Sequence, residues 1–394
     1  MITKESLRIL KNNLGFASGV NRQYDDQFAK SGAKIGSVIN IRKPVRYTVS
    51  DGAALELQDQ TDQSVALTLD SQKHVGFQFS SKEMALNIDA FSERYLKPAM
   101  AALSNKIDLD GLGLYSSVYN STGTPGTTPN AFSFISDAQV KLDNFACPVD
   151  DMRKIAWNPA ANGSLVDALK GLFHSSEQIS KQYLKGRMGI AGGFEHFMDQ
   201  NVRQHTTGTF TTGSTPVTNG ASQSGSSLVT DGWANSTAVL TAGDVFTIAN
   251  VYAVNPQSRE ITGQLQQFVV TSAVTSDGSG NATISISPSI SASGQYQTVN
   301  ALPADGAALT PVGTEATSYP QNMAFHKDAF VLGMADLILP GGVDMAERAR
   351  DAEAGLAIRI VRSYDINNDT LPCRADVLYG WKAVYPELAN RIWG

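Results

Sequence analysis

Short runs of alternating apolar and polar residues, and longer runs with helical spacing, divide this chain into elements. Val38-Ile39-Asn40-Ile41-Arg42 and Val65-Ala66-Leu67-Thr68-Leu69 flank a polar loop rich in Gln, Asp and Gly. Two such runs predict a long β-hairpin that projects from the body. From Ile88 the apolar positions fall at Phe91, Tyr95, Ala99, Leu103 and Ile107, the steps of three and four that mark one helix face. Ser80-Ser81-Lys82-Glu83 has the spacing of a capping box. Pro98 must kink this helix or start a new one. A helix of roughly 25 residues would be about 38 Å long, the length of a strut. Gly111, Gly113 and the stretch 121–126 read as its end.

Residues 130–205 read as α/β. Phe132-Ser133-Phe134 opens a helix that runs to Phe145, and Lys154-Ile155-Ala156-Trp157 is a short strand. Asn158-Pro159 turns into a helical stretch with Leu165, Leu169, Leu172 and Ile179, and Gly189–Phe194 reads as a further strand. Beyond residue 320, strands are expected at Phe330-Val331-Leu332, Ala357–Val361 and Ala375–Tyr379.

Composition changes the picture between these α/β stretches. Residues 206–320 carry only seven charged side chains (Asp231, Asp244, Arg259, Glu260, Asp277, Asp305 and Glu315), and no lysine occurs between Lys185 and Lys327. Asp244–Ile248 and Gln267–Thr271 alternate, and Asp277-Gly278-Ser279-Gly280-Asn281 is a turn joining Val269–Val274 to Ala282–Ile286 in a hairpin. Short strands with such turns predict a small sandwich or barrel, with 206–235 as a loose loop. An α/β region that stops before this module and resumes after it is the pattern of an inserted domain.

Charge is unevenly placed. Residues 1–50 hold nine Lys or Arg against three acids, whereas 51–72 hold Asp51, Glu56, Asp59, Asp62 and Asp70 with no base. Arg42, Lys43, Arg46, Asp51, Glu56, Asp59 and Asp62 are therefore the candidate inter-subunit contacts, a basic arm meeting the acidic loop of a neighbouring copy. Each exposed pair is worth about 0–1 kcal/mol, but opposed patches set register and partner choice. The net charge is −6 over 394 residues, and no Lys/Arg-rich run supplies the patch of a sequence-specific DNA binder. The length fits two or three domains. No apolar signal core opens the chain and no stretch reaches the length of a membrane span, so a cytoplasmic protein is expected. Cys147 and Cys373, with no metal-type spacing, read as free buried thiols.

The chemistry of an enzyme is not visible. There is no G-x-S-x-G elbow, P-loop or H-E-x-x-H, and Gly111-Leu112-Gly113 lacks the third glycine of a dinucleotide fingerprint. His196 and His205, nine apart, match no common ligand spacing, and Asp108 and Asp110 at i, i+2 diverge on a helix. The loop 277–281 lacks the closing Glu of a calcium site. No catalytic residue, cofactor site or metal site is assigned.

The order of elements resembles the major capsid (coat) proteins of tailed bacteriophages with the Hong Kong 97-type fold, in the podophage coat-like subgroup that carries an insertion domain. Residues Phe91-Ser-Glu-Arg-Tyr-Leu-Lys-Pro-Ala99 resemble the spine helix, Asn322–Phe330 the return strand, and Gly243–Ile248 with Gly263–Val270 the inserted domain. The resemblance implies an α+β capsid fold with an inserted all-β barrel or sandwich. Its parts would be an N-terminal arm (1–37), an extended hairpin or E-loop (38–79), and a spine helix with peripheral domain (80–150). A central A-domain with return of peripheral-domain strands (151–205 and 321–394) and the insert (206–320) would complete it. It further implies a non-enzymatic structural protein that assembles into hexamers and pentamers of an icosahedral virion shell. Its partners would be itself, a scaffolding protein, a portal protein and a decoration or cement protein, around double-stranded DNA bound without sequence preference. In some relatives a lysine–asparagine crosslink joins subunits, and no such pair is placed here. Two other readings, a β-rich tail or adhesin-type protein and an enzyme with a lid, fit the Ser/Thr-rich insert less well with its α/β flanks.

Overall fold

The computed structural model describes residues 2–22, 38–49, 52, 57, 63–80, 92–169, 188–210, 214–351, 354–368 and 370–394. Of the expected capping box Ser80–Glu83, Ser80 ends the strand Ser71–Ser80 instead, and 81–83 lie outside these residues, as do the expected helix positions Ile88, Phe91, Leu172 and Ile179. The fold is mixed α+β, and the chain divides into two units: 1–42, 64–112 and 330–384 form the first, and 43–63, 113–329 and 385–394 the second.

In the first unit, the long strand Thr370–Ala383 organises an antiparallel sheet. Ser71–Ser80, Phe330–Ala335 and Leu356–Arg362 all pair with it, and Met345–Asp351 extends the sheet beyond Leu356–Arg362. The hairpin predicted from alternation is present, Val38–Arg42 antiparallel to Ser64–Thr68 with Ile41 and Leu67 buried. Met345–Asp351 was not expected, because Glu347, Arg348, Arg350 and Asp351 hide its period. As an edge strand it exposes Glu347 and Arg348, which discourages edge-to-edge association. A turn of π-helix at Ser92–Leu96 leads into the α-helix Lys97–Leu112. Pro98 follows that turn closely, so its missing N–H leaves a carbonyl of the π-turn without its helical partner, and the change from π to α marks the irregularity that its ring imposes.

Buried Asp108 ties that helix to the N-terminal segment. Its carboxylate accepts Gly15 N at 2.7 Å and Ala17 N at 2.8 Å. Asp110 turns elsewhere, accepting from Lys106 Nζ and from the buried Tyr379 hydroxyl, both at 2.7 Å. The helix ends at Leu112, between Gly111 and Gly113, where the glycines were expected to end it. Gly111 lies in its last turn, where Phe16 packs on Trp381 with ring centroids 5.6 Å apart. A Cβ at Gly111 would stand 2.6 Å from the Trp381 ring and 2.9 Å from that of Phe16, so the glycine permits a close approach.

The second unit holds a mixed sheet and a β-rich body. The sheet runs in the order Ser121–Thr122, Ala389–Trp393, Ser318–His326, Arg153–Trp157, Phe194–Met198, Ile190–Ala191. Helices Phe132–Asn144 and Pro159–Leu169 supply Ile135, Leu142 and Leu165 to a core shared with Trp157, Phe194, Ala324 and Ile392. The single strand expected at 189–194 is a tight turn instead, with Gly192 and Gly193 at positive φ between two strands. The β-rich body has a six-stranded sheet made from Val217–Thr218, Gly225–Asp231, Val245–Val254, Ile261–Val270, Ala282–Ile290 and Leu309–Pro311. Its core is built on Phe246, Phe268, Trp233, Val270, Ile284 and Ile286. Gly225–Asp231 was expected to be loop, because Ser and Gly dominate it. Leu228 and Thr230 nevertheless alternate inward, and Thr230 Oγ1 donates to Ala282 O while receiving Trp233 Nε1.

The two ends of this body leave side by side. Gln204–Thr206 pairs antiparallel with Ser318–Pro320, His205 opposite Tyr319. Thr207 N donates to Thr317 O and Ala316 N to Gly208 O. Gly111→Ala should destabilise the subunit by about 1–3 kcal/mol through overpacking. Calorimetry of the free subunit checks this as a lowered melting temperature, and an unchanged one would remove the close-approach argument.

Candidate functional site

The residues singled out for contact lie on the loop side of the hairpin. Arg42 is exposed in its strand. Lys43 Nζ lies 4.9 Å from the Tyr385 ring centroid, a cation–π contact, and burial lowers its pKa against the opposing pull of Glu387. Arg46 Nη2 pairs with Glu387 Oε1 at 3.0 Å. Tyr47 and Val49 continue this strap with side chains 61% and 97% exposed. The four acids of the set, Asp51, Glu56, Asp59 and Asp62, lie outside the described residues. Lys43 and Arg46 thus share one patch around Tyr385 and Glu387, and no sequence spacing announces that pairing.

The groups that could have signalled catalysis are tied into buried structure. His205 Nε2 is 2.8 Å from Asp244 Oδ1 and Nδ1 is 3.2 Å from the Tyr115 hydroxyl. A carboxylate only accepts, so Nε2 carries a hydrogen, while Nδ1 shares a hydrogen bond with the Tyr115 hydroxyl. The other oxygen of Asp244 accepts Thr241 N at 2.7 Å and Gly208 N at 3.1 Å. Arg391, fully buried, donates Nη1 to Gly243 O at 2.8 Å and lies over Trp393 and Tyr115 at 5.0 and 5.7 Å. Burial lowers its pKa to about 10. His205 and Asp244 are 3% and 2% exposed. They join the neck of the β-rich body to the start of its longest strands.

His196 is likewise buried, accepting Trp157 Nε1–H at Nδ1 and donating Nε2–H to Ala191 O, both at 2.9 Å. Burial lowers its pKa. Both cysteines are free and buried, and burial raises each thiol to about 11. Asp277 accepts from Ser279 N, Asn281 N and Asn281 Nδ2 and so closes a turn.

The β-rich body meets the rest of the second unit through specific contacts. Gln267 accepts Ser121 N and returns Nε2–H to Ser121 O, and Asn255 donates to Asn144 O. Tyr119 and Phe145 pack with Val245, Ala253 and Val269. Buried Lys141 reaches Gln264 Oε1 at 3.2 Å and the Phe145 ring at 5.7 Å, and desolvation lowers its pKa to about 8. An ammonium held by a neutral amide costs stability. Between about pH 8 and its ordinary value the unfolded chain holds this proton and the folded chain does not, so folding stability rises with pH there. Lys141→Met should flatten that rise and stabilise the subunit at neutral pH by roughly 1–3 kcal/mol. Urea denaturation at pH 7 and pH 10 checks both parts, and a destabilised variant at pH 7 would refute them.

A family model described as "P22 coat protein - gene protein 5" matches residues 2–391. No curated protein matches the chain. Among solved structures, the chain is similar to one titled "Mycobacterium phage Che8", at 14% identity over 96% of this chain and 90% of that one, TM-score 0.49. It is also similar to the asymmetric unit of the bacteriophage PhiM1 mature capsid, at 8% identity over 93% and 83%, TM-score 0.43. The CUS-3 coat protein I-domain matches at 28% identity over 26% of this chain and 97% of that one, TM-score 0.20.

Proposed function

The chain belongs to the P22 coat protein family and is a structural, major capsid subunit of a bacteriophage virion, and from that premise we propose how it works. The observation that carries the reading is the family match over nearly the whole chain. Copies assemble in the host cytoplasm into hexamers and pentamers of an icosahedral shell, around a scaffolding protein and with a portal protein at one vertex. The shell encloses double-stranded DNA without reading its sequence, and the subunit performs no catalysis. The adhesin-type alternative gives way to the family match.

Charge supports the enclosing role. Residues 206–320 contribute five of the six net negatives, which leaves a near-neutral remainder with little affinity for packaged phosphates. Residues 206–320 act as an inserted domain, a reading supported by the adjacent strands at its neck and by the family. The basic arm (Arg42, Lys43, Arg46) and the acidic loop (Asp51, Glu56, Asp59, Asp62) set the register between neighbouring copies. Each such pair is weak, about 0–1 kcal/mol, which lets misplaced subunits dissociate while repetition over a closed shell accumulates stability.

Electron microscopy of the protein co-produced with its scaffold should show uniform shells or capsomers. A subunit that stays monomeric at high concentration with scaffold present would refute the assembly reading. Asp59→Lys with Asp62→Lys should impair shell formation while circular dichroism stays native. Normal shells from that variant would refute the arm–loop contact.

A further inference from the structure

The sequence contains two Asn–Gly pairs, and the fold holds them differently. Asn162–Gly163 lies inside the helix Pro159–Leu169, where Asn162 N donates to Asn158 O and the next amide belongs to the same ladder. Asn219–Gly220 follows the short strand Val217–Thr218 and opens a turn in which the Asn219 side chain is exposed. The main chain before the pair is fixed, since Asn219 N donates to Val229 O and Gln223 Nε2 donates to Asn219 O at 2.9 Å. Gly220 has φ +101°, and no atom lies within 4 Å of where a Cβ would stand. Its N–H donates to Asp305 Oδ1 at 2.8 Å.

These features meet the needs of one reaction. A bond from the Gly220 nitrogen to the Asn219 side-chain carbon Cγ closes a five-membered ring, so covalent connection alone keeps the two atoms near each other. Glycine leaves that nitrogen uncrowded. The remaining obstacle is the amide proton, which must depart as the bond forms. A base that takes it must lie within about 2.6–3.2 Å of the nitrogen, and the Asp305 carboxylate does. Related pairs lack this arrangement. Gly163 is held in a helix, and Gly306, which follows Asp305, donates its N–H to the carbonyl of Thr218, which is no base.

We propose that Asn219 is a self-modification site, converted to aspartate and isoaspartate with Asp305 as the general base. Gly220 N bonds to Asn219 Cγ while its proton passes to Asp305. The Cγ–Nδ2 bond then breaks, and Nδ2 takes that proton and leaves as ammonia. Water opens the cyclic imide at one carbonyl or the other, which gives isoaspartate or aspartate. The sum is one water consumed and one ammonia released, with no oxidant or cofactor. The new carboxylate stands beside Asp305 and adds a negative charge to a body that carries few charges. In isoaspartate the main chain gains one atom directly after Thr218, whose N–H and hydroxyl hold Ala307 O and Ala304 O. The modification therefore acts where Val217 meets Ala308 across the β-rich body. It does not depend on shell formation and is readable in the free subunit.

Peptide mass spectrometry of the free subunit aged at neutral pH tests it. Aspartate and isoaspartate should accumulate at position 219, while Asn162 in the same digest stays intact. Asp305→Ser keeps an acceptor for the Gly220 N–H but is no base, and should slow the conversion roughly a hundredfold. Asp305→Glu should recover much of the rate. An Asn219 that stays as intact as Asn162 would overturn the proposal. So would a wild-type rate in Asp305→Ser, which would make exposure alone responsible, or a faster one, which would make Asp305 a shield. The unaltered protein gives a second reading that needs no variant. A carboxylate base makes the rate nearly level between pH 6 and pH 8, whereas a rate that climbs in proportion to hydroxide would overturn the role of Asp305.

Discussion

The second unit depends on one buried cation. Arg391, in the last strand, is fully enclosed and sandwiched in reach of Tyr115 and Trp393, and its Nη1 holds the carbonyl of Gly243 just before the strand Val245–Val254. Desolvating a guanidinium costs several kcal/mol, and its Nε and Nη2 have no hydrogen-bond partner among the described residues. What offsets this is a weakly hydrated, delocalised charge stacked on two aromatic faces, with the Asp244 carboxylate nearby. Lysine, a compact and strongly hydrated point charge, could not replace it. The same Asp244 takes His205 and the backbone of Thr241 and Gly208. The C-terminal strand, the turn Gly113–Ser117 and the entry to the β-rich body are thereby fixed to one another.

That arrangement suits a subunit whose work is assembly. A coat protein must keep its own body rigid while its contacts with neighbours stay weak enough to correct. The deeply buried polar groups (Arg391, Asp244, His205 in the second unit, Asp108 and Asp376 in the first) sit where desolvation makes errors expensive, and so specify one packing. Asp376, fully buried, is held by Arg359 at 2.7 Å and Arg374 at 2.6 Å. The Arg46–Glu387 and Lys43–Tyr385 contacts are the opposite kind, partly solvated. In the His205–Asp244–Tyr115 constellation the histidine and the carboxylate are buried and tied by their own hydrogen bonds, and Tyr115 is half-buried.

Much of this was legible in the sequence where side-chain period and backbone agree. The hairpin 38–42 with 64–68, the helix 132–144, the strand 153–157 and the turn at Asp277 follow directly from alternation, helical spacing and turn chemistry. The misses have physical causes. Ala389–Trp393 buries Asn390 and Arg391, so no apolar alternation marks it. Met345–Asp351 is a charged edge, and Gly225–Asp231 is strand despite Ser and Gly because its two inward positions suffice. Gly111 marks the helix end in sequence, but its close approach to Trp381 and Phe16 is visible only in space. Of the candidate site, the basic residues Lys43 and Arg46 were legible as a cluster, but Glu387 lies 341 positions from Arg46, and only folding reveals the pair.

Hydrogen exchange on the free subunit carrying Arg391→Met tests the central claim most directly. The account predicts that Val245–Val254 and Ser318–His326 lose protection together, by roughly a hundredfold for a loss of about 3 kcal/mol, while Phe330–Ala335 and Thr370–Ala383 keep theirs. Wild-type protection throughout, or a change confined to the last strand, would show that Arg391 does not hold the second unit together.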